Sequence, residues 1–85
     1  MVRVIAERVF PEPVTAEALE AAGREGQSCL AAHRVRHLRT LLSPDGLRTI
    51  CEYEAPDAES VRQASTRLGL PFERIWTARV FDSEK

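Results

Sequence analysis

No stretch of this 85-residue chain approaches the roughly 18 consecutive apolar residues of a membrane-crossing helix, so no spanning segment is expected. Met1-Val2-Arg3-Val4 runs straight into strand-forming sequence without a signal-peptide pattern, and the expected location is the cytoplasm. Surplus charge is missing as well: 12 Lys plus Arg against 13 Asp plus Glu leave a formal net charge of -1. Nucleic-acid binders carry a basic excess that neutralises phosphates, so that class of partner is set aside. Two cysteines, Cys29 and Cys51, are too few for a disulfide scaffold or a four-cysteine iron-sulfur cluster, and reduced thiols are expected. CxxC, HExxH, GxGxxG, the phosphate-binding loop and GxSxG are all missing, so no motif anchors a catalytic role. The length allows one domain, residues 1–85, with a modest core. An apolar face that so short a chain cannot cover itself will seek another chain.

What is present is an alternation of strand-like and helix-like segments. Val2 to Phe10 is rich in β-formers, and Pro11 and Pro13 stop it because proline donates no ladder hydrogen bond. Thr15 is placed to cap a helix with Glu17 in its first turn, and Leu19, Ala22, Gly26, Leu30 and His33 then fall on one face. The small residues of that stripe, including Gly23 and Gly26, predict close packing of the helix on a sheet. Val35 to Leu42 is strand-like, Ser43-Pro44-Asp45-Gly46 is a hairpin turn with Gly at the left-handed position, and Leu47 to Ala55 returns. Asp57 caps a second helix carrying Val61, Ala64 and Leu68 on one face, and Gly69 and Pro71 end it. A last strand is expected from Phe72 to Phe81, followed by a fraying tail, residues 82–85. The order βαββαβ predicts an α+β, ferredoxin-like fold: a four-stranded antiparallel sheet with two helices on one face.

The other face of that sheet is the informative feature. A sheet with one solvated side alternates apolar and polar residues cleanly. Here Val2, Val4 and Ala6 share one side of the first strand, while Ile5 and Val9 lie on the other beside Arg3 and Glu7. The second strand opposes Leu38 and Leu42 to Val35, His37, Arg39 and Leu41, and the last opposes Trp76, Ala78 and Val80 to Ile75, Thr77, Arg79 and Phe81. Two helices cover one side only, so a second copy packed sheet to sheet is expected: a homodimer of the dimeric α+β barrel type with a partly polar chamber. In the third strand the odd positions, including Cys51 and Tyr53, form the apolar set. They belong either to the core under the helices or to the chamber with Glu7, His37, Arg39, Thr77 and Arg79, and periodicity does not choose.

Phe10-Pro11, Ser43-Pro44-Asp45-Gly46, Leu68-Gly69-Leu70-Pro71 and above all Thr49-Ile50-Cys51-Glu52-Tyr53-Glu54-Ala55-Pro56-Asp57 resemble a bacterial family of small ferredoxin-like nickel-binding proteins, first catalogued as a domain of unknown function and typified by an actinobacterial member. The resemblance spans nearly the whole chain. It implies a homodimer, nickel as the bound metal, and functional rather than packing roles for Cys51 and Tyr53. The chain departs from the family pattern on the second strand, where His37 then Arg39 replace Trp then His. It departs again around Gln63-Ala64-Ser65, where a His is often found, and at Glu52, which replaces an aliphatic residue. Arginine is always protonated and cannot ligate a metal.

Glu7, His37, Cys51 and Tyr53 together offer oxygen, nitrogen and sulfur donors of the kind borderline divalent ions accept, and they are the expected metal ligands. Arg39 and Arg79 are the expected holders of a small anionic ligand or of Glu7, with a structural ion pair as the plainer reading. Cys29 reads as packing, His33 as a partner of helix-terminal carbonyls, and Trp76 as a packing anchor. The favoured function is a non-catalytic homodimer that binds a divalent metal. The alternatives are an isomerase, cyclase or monooxygenase with Glu7 or His37 as general base, and a purely structural dimer.

Overall fold

The computed structural model describes residues 1–84. Its elements are β1 (Val2–Val9), α1 (Ala16–Glu25), α2 (Gln27–Ala32), β2 (Arg36–Leu42), β3 (Arg48–Ala55), α3 (Ala58–Arg67) and β4 (Arg74–Ala78). All strand pairs are antiparallel and the sheet order is β2-β3-β1-β4, the order of a ferredoxin-like βαββαβ chain. None of the helices is long and apolar enough to cross a membrane among the described residues.

Local chemistry sets the boundaries. The Thr15 hydroxyl accepts from the Ala18 amide at 3.1 Å and the Asp57 carboxylate accepts from the Ser60 amide at 2.8 Å, so both expected helix caps are made. The α2 and α3 ends close alike. After α2, Val35 N–H donates to Leu30 O and Arg34 N–H to Ala31 O; after α3, Leu70 N–H donates to Ser65 O and Gly69 N–H to Thr66 O. Each is a Schellman closure whose pivot residue takes a left-handed backbone. In α3 that pivot is Gly69, in α2 it is Arg34 at φ 63°. The β2–β3 turn pivots on Gly46 at φ 75°, and a methyl group there would sit 2.9 Å from the Val14 carbonyl, so both dihedral and space require glycine.

The structure differs from the sequence expectations in three places that matter for function. First, the single helix expected from Thr15 to His33 is broken at Gly26. Gly26 does permit a close approach, but to Leu68 beyond α3, where an added Cβ would lie 3.0 Å from Cδ1; Gly23 has nothing within 4 Å of an added Cβ. Close packing of this helix on the core is found only at Leu30 of α2: no residue of α1 or α2 is fully buried, whereas α3 buries Val61, Ala64 and Ser65. Second, β4 ends at Ala78, which pairs with Arg3 one residue from the start of β1, so Arg79 to Phe81 have almost no strand left to pair with. Asp82, Ser83 and Glu84 are exposed, and Lys85 of the expected frayed tail lies outside the described residues. Third, β2 carries a bulge between His37, which pairs with Tyr53, and Arg39, which pairs with Glu52. Leu38 is the extra residue, and everything after it changes face relative to a regular strand.

The core consists of Val4, Ala6, Val35, Cys51, Tyr53, Ala55 and Val61, with Leu30, Ala58 and Ile75 packed on it. The odd positions of β3 therefore face the helices, and its even positions face the open side.

Candidate functional site

The open side is a lattice of apolar residues and ion pairs. Ile5, Ile50, Leu41 and Trp76 lie on it, interleaved with Arg3–Glu52 at 3.3 Å, Glu52–Arg39 at 2.9 Å and Arg36–Glu54 at 2.9 Å. Glu7 belongs here. Its carboxylate accepts from Trp76 Nε1 at 2.7 Å and from Arg74 at 3.1 Å, and these two contacts hold it below the usual carboxylate range. Arg39 takes the structural ion-pair role, and Arg79 lies exposed past the end of β4.

The helix side holds the other three nominated ligands. Because α1 stands off the sheet, a cleft of about 1050 Å3 remains between them, and His37, Cys51 and Tyr53 line it. The bulge brings this about: His37 and Thr40 both face the cleft, while Arg39 between them faces away. A hydrogen-bonded chain links the polar groups. His37 Nε2 meets Thr40 Oγ1 at 2.8 Å, the Thr40 hydroxyl donates to Cys51 Sγ at 3.4 Å, and the Cys51 thiol is turned toward Thr49 Oγ1 at 3.8 Å. The His37 ring leans on Tyr53 with centroids 5.4 Å apart. Burial lowers the His37 pKa and the positive charge of Arg8 presses the same way, so the imidazole is neutral at pH 7. Burial raises the Tyr53 pKa, which keeps the phenol protonated.

The four residues expected to ligate together therefore do not share a face. His37, Cys51 and Tyr53 converge in the cleft, and Glu7 lies on the opposite side of the sheet. A chamber on the open face that includes Cys51 and Tyr53 is not what this chain builds, because β3 turns its odd positions toward α3. Thr77, opposite Val4 on β4, also faces the helices. Among the described residues no three His, Cys, Asp or Glu side chains converge as a ready-made metal cage. His33 accepts its expected role, with Nδ1 2.9 Å from the Cys29 carbonyl at the end of α2.

One buried charge on this side is not picked out by periodicity. Arg8 is 2% exposed and sits on the cleft floor. Its guanidinium donates to Tyr53 Oη at 3.0 Å, Ser65 Oγ at 3.1 Å and the Pro71 carbonyl at 3.0 Å. The signal was available, since Arg8 continues the Val4, Ala6 side of β1, and a charge in register with a core face is seldom accidental.

Comparison with known proteins agrees with this architecture. A family model described as nickel responsive protein SCO4226-like matches residues 5–77. Among solved structures, the crystal structure of SCO4226 from Streptomyces coelicolor A3(2) superposes with a TM-score of 0.82 at 18% sequence identity, covering 94% of this chain and 99% of that one. No curated protein matches.

Proposed function

We propose, taking as premise that this chain belongs to the SCO4226-like family of nickel responsive proteins, that it binds a nickel ion in the sheet–helix cleft through His37 and Cys51 and works as a homodimer joined by its open sheet face. The observation that carries the metal reading is the His37–Thr40–Cys51 chain, in which a neutral imidazole and a thiol lie on one face with a hydroxyl between them. Imidazole nitrogen and thiolate sulfur are the donor types that late divalent ions prefer, so the pair fits nickel. Two protein donors do not fill a coordination sphere. Tyr53 supplies an adjacent oxygen, and the remaining positions fall to water or a small ligand admitted through the cleft mouth. The Thr40 hydroxyl holds the sulfur in place once its proton is lost, the orienting role usual around a metal ligand.

Glu7 drops out of this ligand set because it faces away, and it serves instead in the open-face lattice. The dimer reading is supported by the apolar residues that face carries beyond its ion pairs. Trp76 is 45% and Leu41 51% exposed in the single chain. The cytoplasm is the compartment this reading favours, with Cys29 and Cys51 as free thiols.

The test is calorimetric titration with Ni(II). Wild-type protein is expected to bind one ion per chain and release a proton, with affinity rising as pH rises because the thiol must ionise. Cys51→Ser and His37→Ala are each expected to weaken binding at least about tenfold. Glu7→Gln should leave it unchanged. Unaltered affinity in the Cys51→Ser, His37→Ala double variant overturns the assignment.

A further inference from the structure

We infer that the sheet–helix cleft is also a binding site for an uncharged organic molecule, mostly apolar with a single hydroxyl, of the medium-chain alcohol class. The inference stands apart from the nickel reading and needs no metal. Its basis is where the chain puts its leucines. The enclosed core under the helices is built from Val, Ala, Cys and Tyr side chains, and among the described residues no leucine is fully buried. Five of the eight leucines, Leu19, Leu30, Leu42, Leu68 and Leu70, line the cleft instead together with Phe10, and all six side chains are only half-buried. Leucine and phenylalanine are among the residues most often enclosed, so six of them left half-wet around one concavity mark a surface that gains by being covered. The helix above makes room for the cover. There α1 presents Ala16, Ala22 and Gly23, and a Cβ added at Gly23 meets nothing within 4 Å.

Charge decides what kind of cover fits. Arg8 is enclosed and commits its guanidinium to Tyr53, Ser65 and the Pro71 carbonyl, so it has nothing to give a ligand. His37 is held neutral by burial. The remaining charged residues along the lining, Glu20, Arg24, Glu25 and Arg36, are exposed, and two of each sign cancel. An ionic head group would lose its water among apolar walls and find no counter-charge there. A peptide fits no better. The strands under the cleft direct their backbone hydrogen bonds at each other within the sheet, so a segment lying across their face would leave its own amides unpaired. A flexible uncharged molecule meets neither obstacle, and at about 1050 Å3 the cleft has the size of a small-molecule site. Its one polar end has a place to go: Thr40 Oγ1 gives its proton to Cys51 Sγ and meets His37 Nε2, and it keeps acceptor capacity for one more hydroxyl.

The experiment uses metal-free full-length protein in EDTA, titrated calorimetrically with octan-1-ol, octanoate and octylammonium, which share a chain and differ in charge. Octan-1-ol is expected to bind at least tenfold more tightly than either ion. Across hexan-1-ol, octan-1-ol and decan-1-ol, affinity is expected to rise about fourfold per added methylene. Gly23→Leu fills the free space under α1 and improves helix propensity, so it is expected to weaken octan-1-ol at least tenfold while sparing the fold. Two further readouts fix the place. Octan-1-ol is expected to slow deuterium exchange in α1 and to leave the emission of Trp76 unchanged, because that ring lies on the other face of the sheet. Equal or tighter binding of either ion, no binding of any alcohol, affinity indifferent to Gly23→Leu, or a Trp76 shift that tracks the titration while α1 exchange stays the same each overturns the proposal. Because no nickel is present, failure here leaves the metal assignment standing, and the reverse also holds.

Discussion

Trp76→Ala is the sharpest probe of the open sheet face. Trp76 stands 45% exposed on β4 with one edge tied to Glu7 by a 2.7 Å hydrogen bond. Tryptophan presents up to about 250 Å2, so about 110 Å2 of ring remains for a second copy to cover. At about 25 cal/mol per Å2, and allowing for the methyl group that alanine retains, each ring contributes about 2 kcal/mol to association. A two-fold dimer uses the ring twice, which makes the substitution worth about 4 kcal/mol, or roughly a thousandfold in the dimer dissociation constant. Sedimentation velocity over a dilution series reads this directly. Trp76 is the only tryptophan, so its emission also reports dissociation as a red shift on dilution. Phe81→Ala is the control: Phe81 is 93% exposed, more than Trp76, but it lies beyond β4 and off the sheet. It is expected to change assembly little. A wild-type chain that stays monomeric throughout, or a dimer indifferent to Trp76→Ala but sensitive to Phe81→Ala, refutes the sheet-to-sheet reasoning.

Two further expectations follow from local structure. Arg34→Gly should stabilise the fold by about 0.5–1 kcal/mol in urea melts, because the left-handed pivot after α2 costs a non-glycine residue about 1–2 kcal/mol and glycine's extra chain entropy returns part of that; a loss of stability would show that the arginine side chain matters there. The Trp76 hydrogen bond first, and Arg74 second, lower the Glu7 pKa from its ordinary 4.5. The folded state therefore binds this proton less readily than the unfolded chain. The resulting stabilisation is complete above about pH 4.5 and fades as pH falls through the lowered folded value. An acid titration of Trp76 emission should show a midpoint below 4.5 that vanishes in Glu7→Gln.

The sequence made the fold legible because its punctuation is unambiguous. Thr15 and Asp57 cap, Gly46 and Gly69 turn, and the prolines separate, so element order and sheet order followed from rules that act over a few residues. The site was legible only in part. His37, Cys51 and Tyr53 converge as expected, but Glu7 does not join them: periodicity leaves the facing of Cys51 and Tyr53 open, and the β1–β3 register, which pairs Ala6 with Cys51 and Glu7 with Ile50, puts Glu7 on the other side. The bulge at Leu38, which parts His37 from Arg39, is announced by no residue type: His37-Leu38-Arg39 contains neither glycine nor proline. Arg8 was passed over for a different reason. Counting apolar residues on each face treats a lone charge as noise, whereas within a buried face it is the residue most in need of an explanation.

The same geometry makes the fold unequal in stability, and α1 is where that inequality should be measurable. A ten-residue helix is marginal by itself in water, so it survives by burying a face. α3 does this with Val61, Ala64 and Ser65; α1, lifted off the sheet by the cleft, half-buries Leu19 and Ala21 and fully buries no residue. Amides of α1 are therefore expected to exchange with deuterium through local opening that is insensitive to low urea, while α3 amides exchange only on global unfolding. The contrast also connects dynamics to function. Whatever occupies the cleft adds the packing that α1 does not obtain from the sheet, so a bound nickel ion should slow exchange in α1 selectively. Equal protection of α1 and α3 in the empty protein would mean that α1 is already packed, and the cleft on which the metal reading depends would not exist in solution.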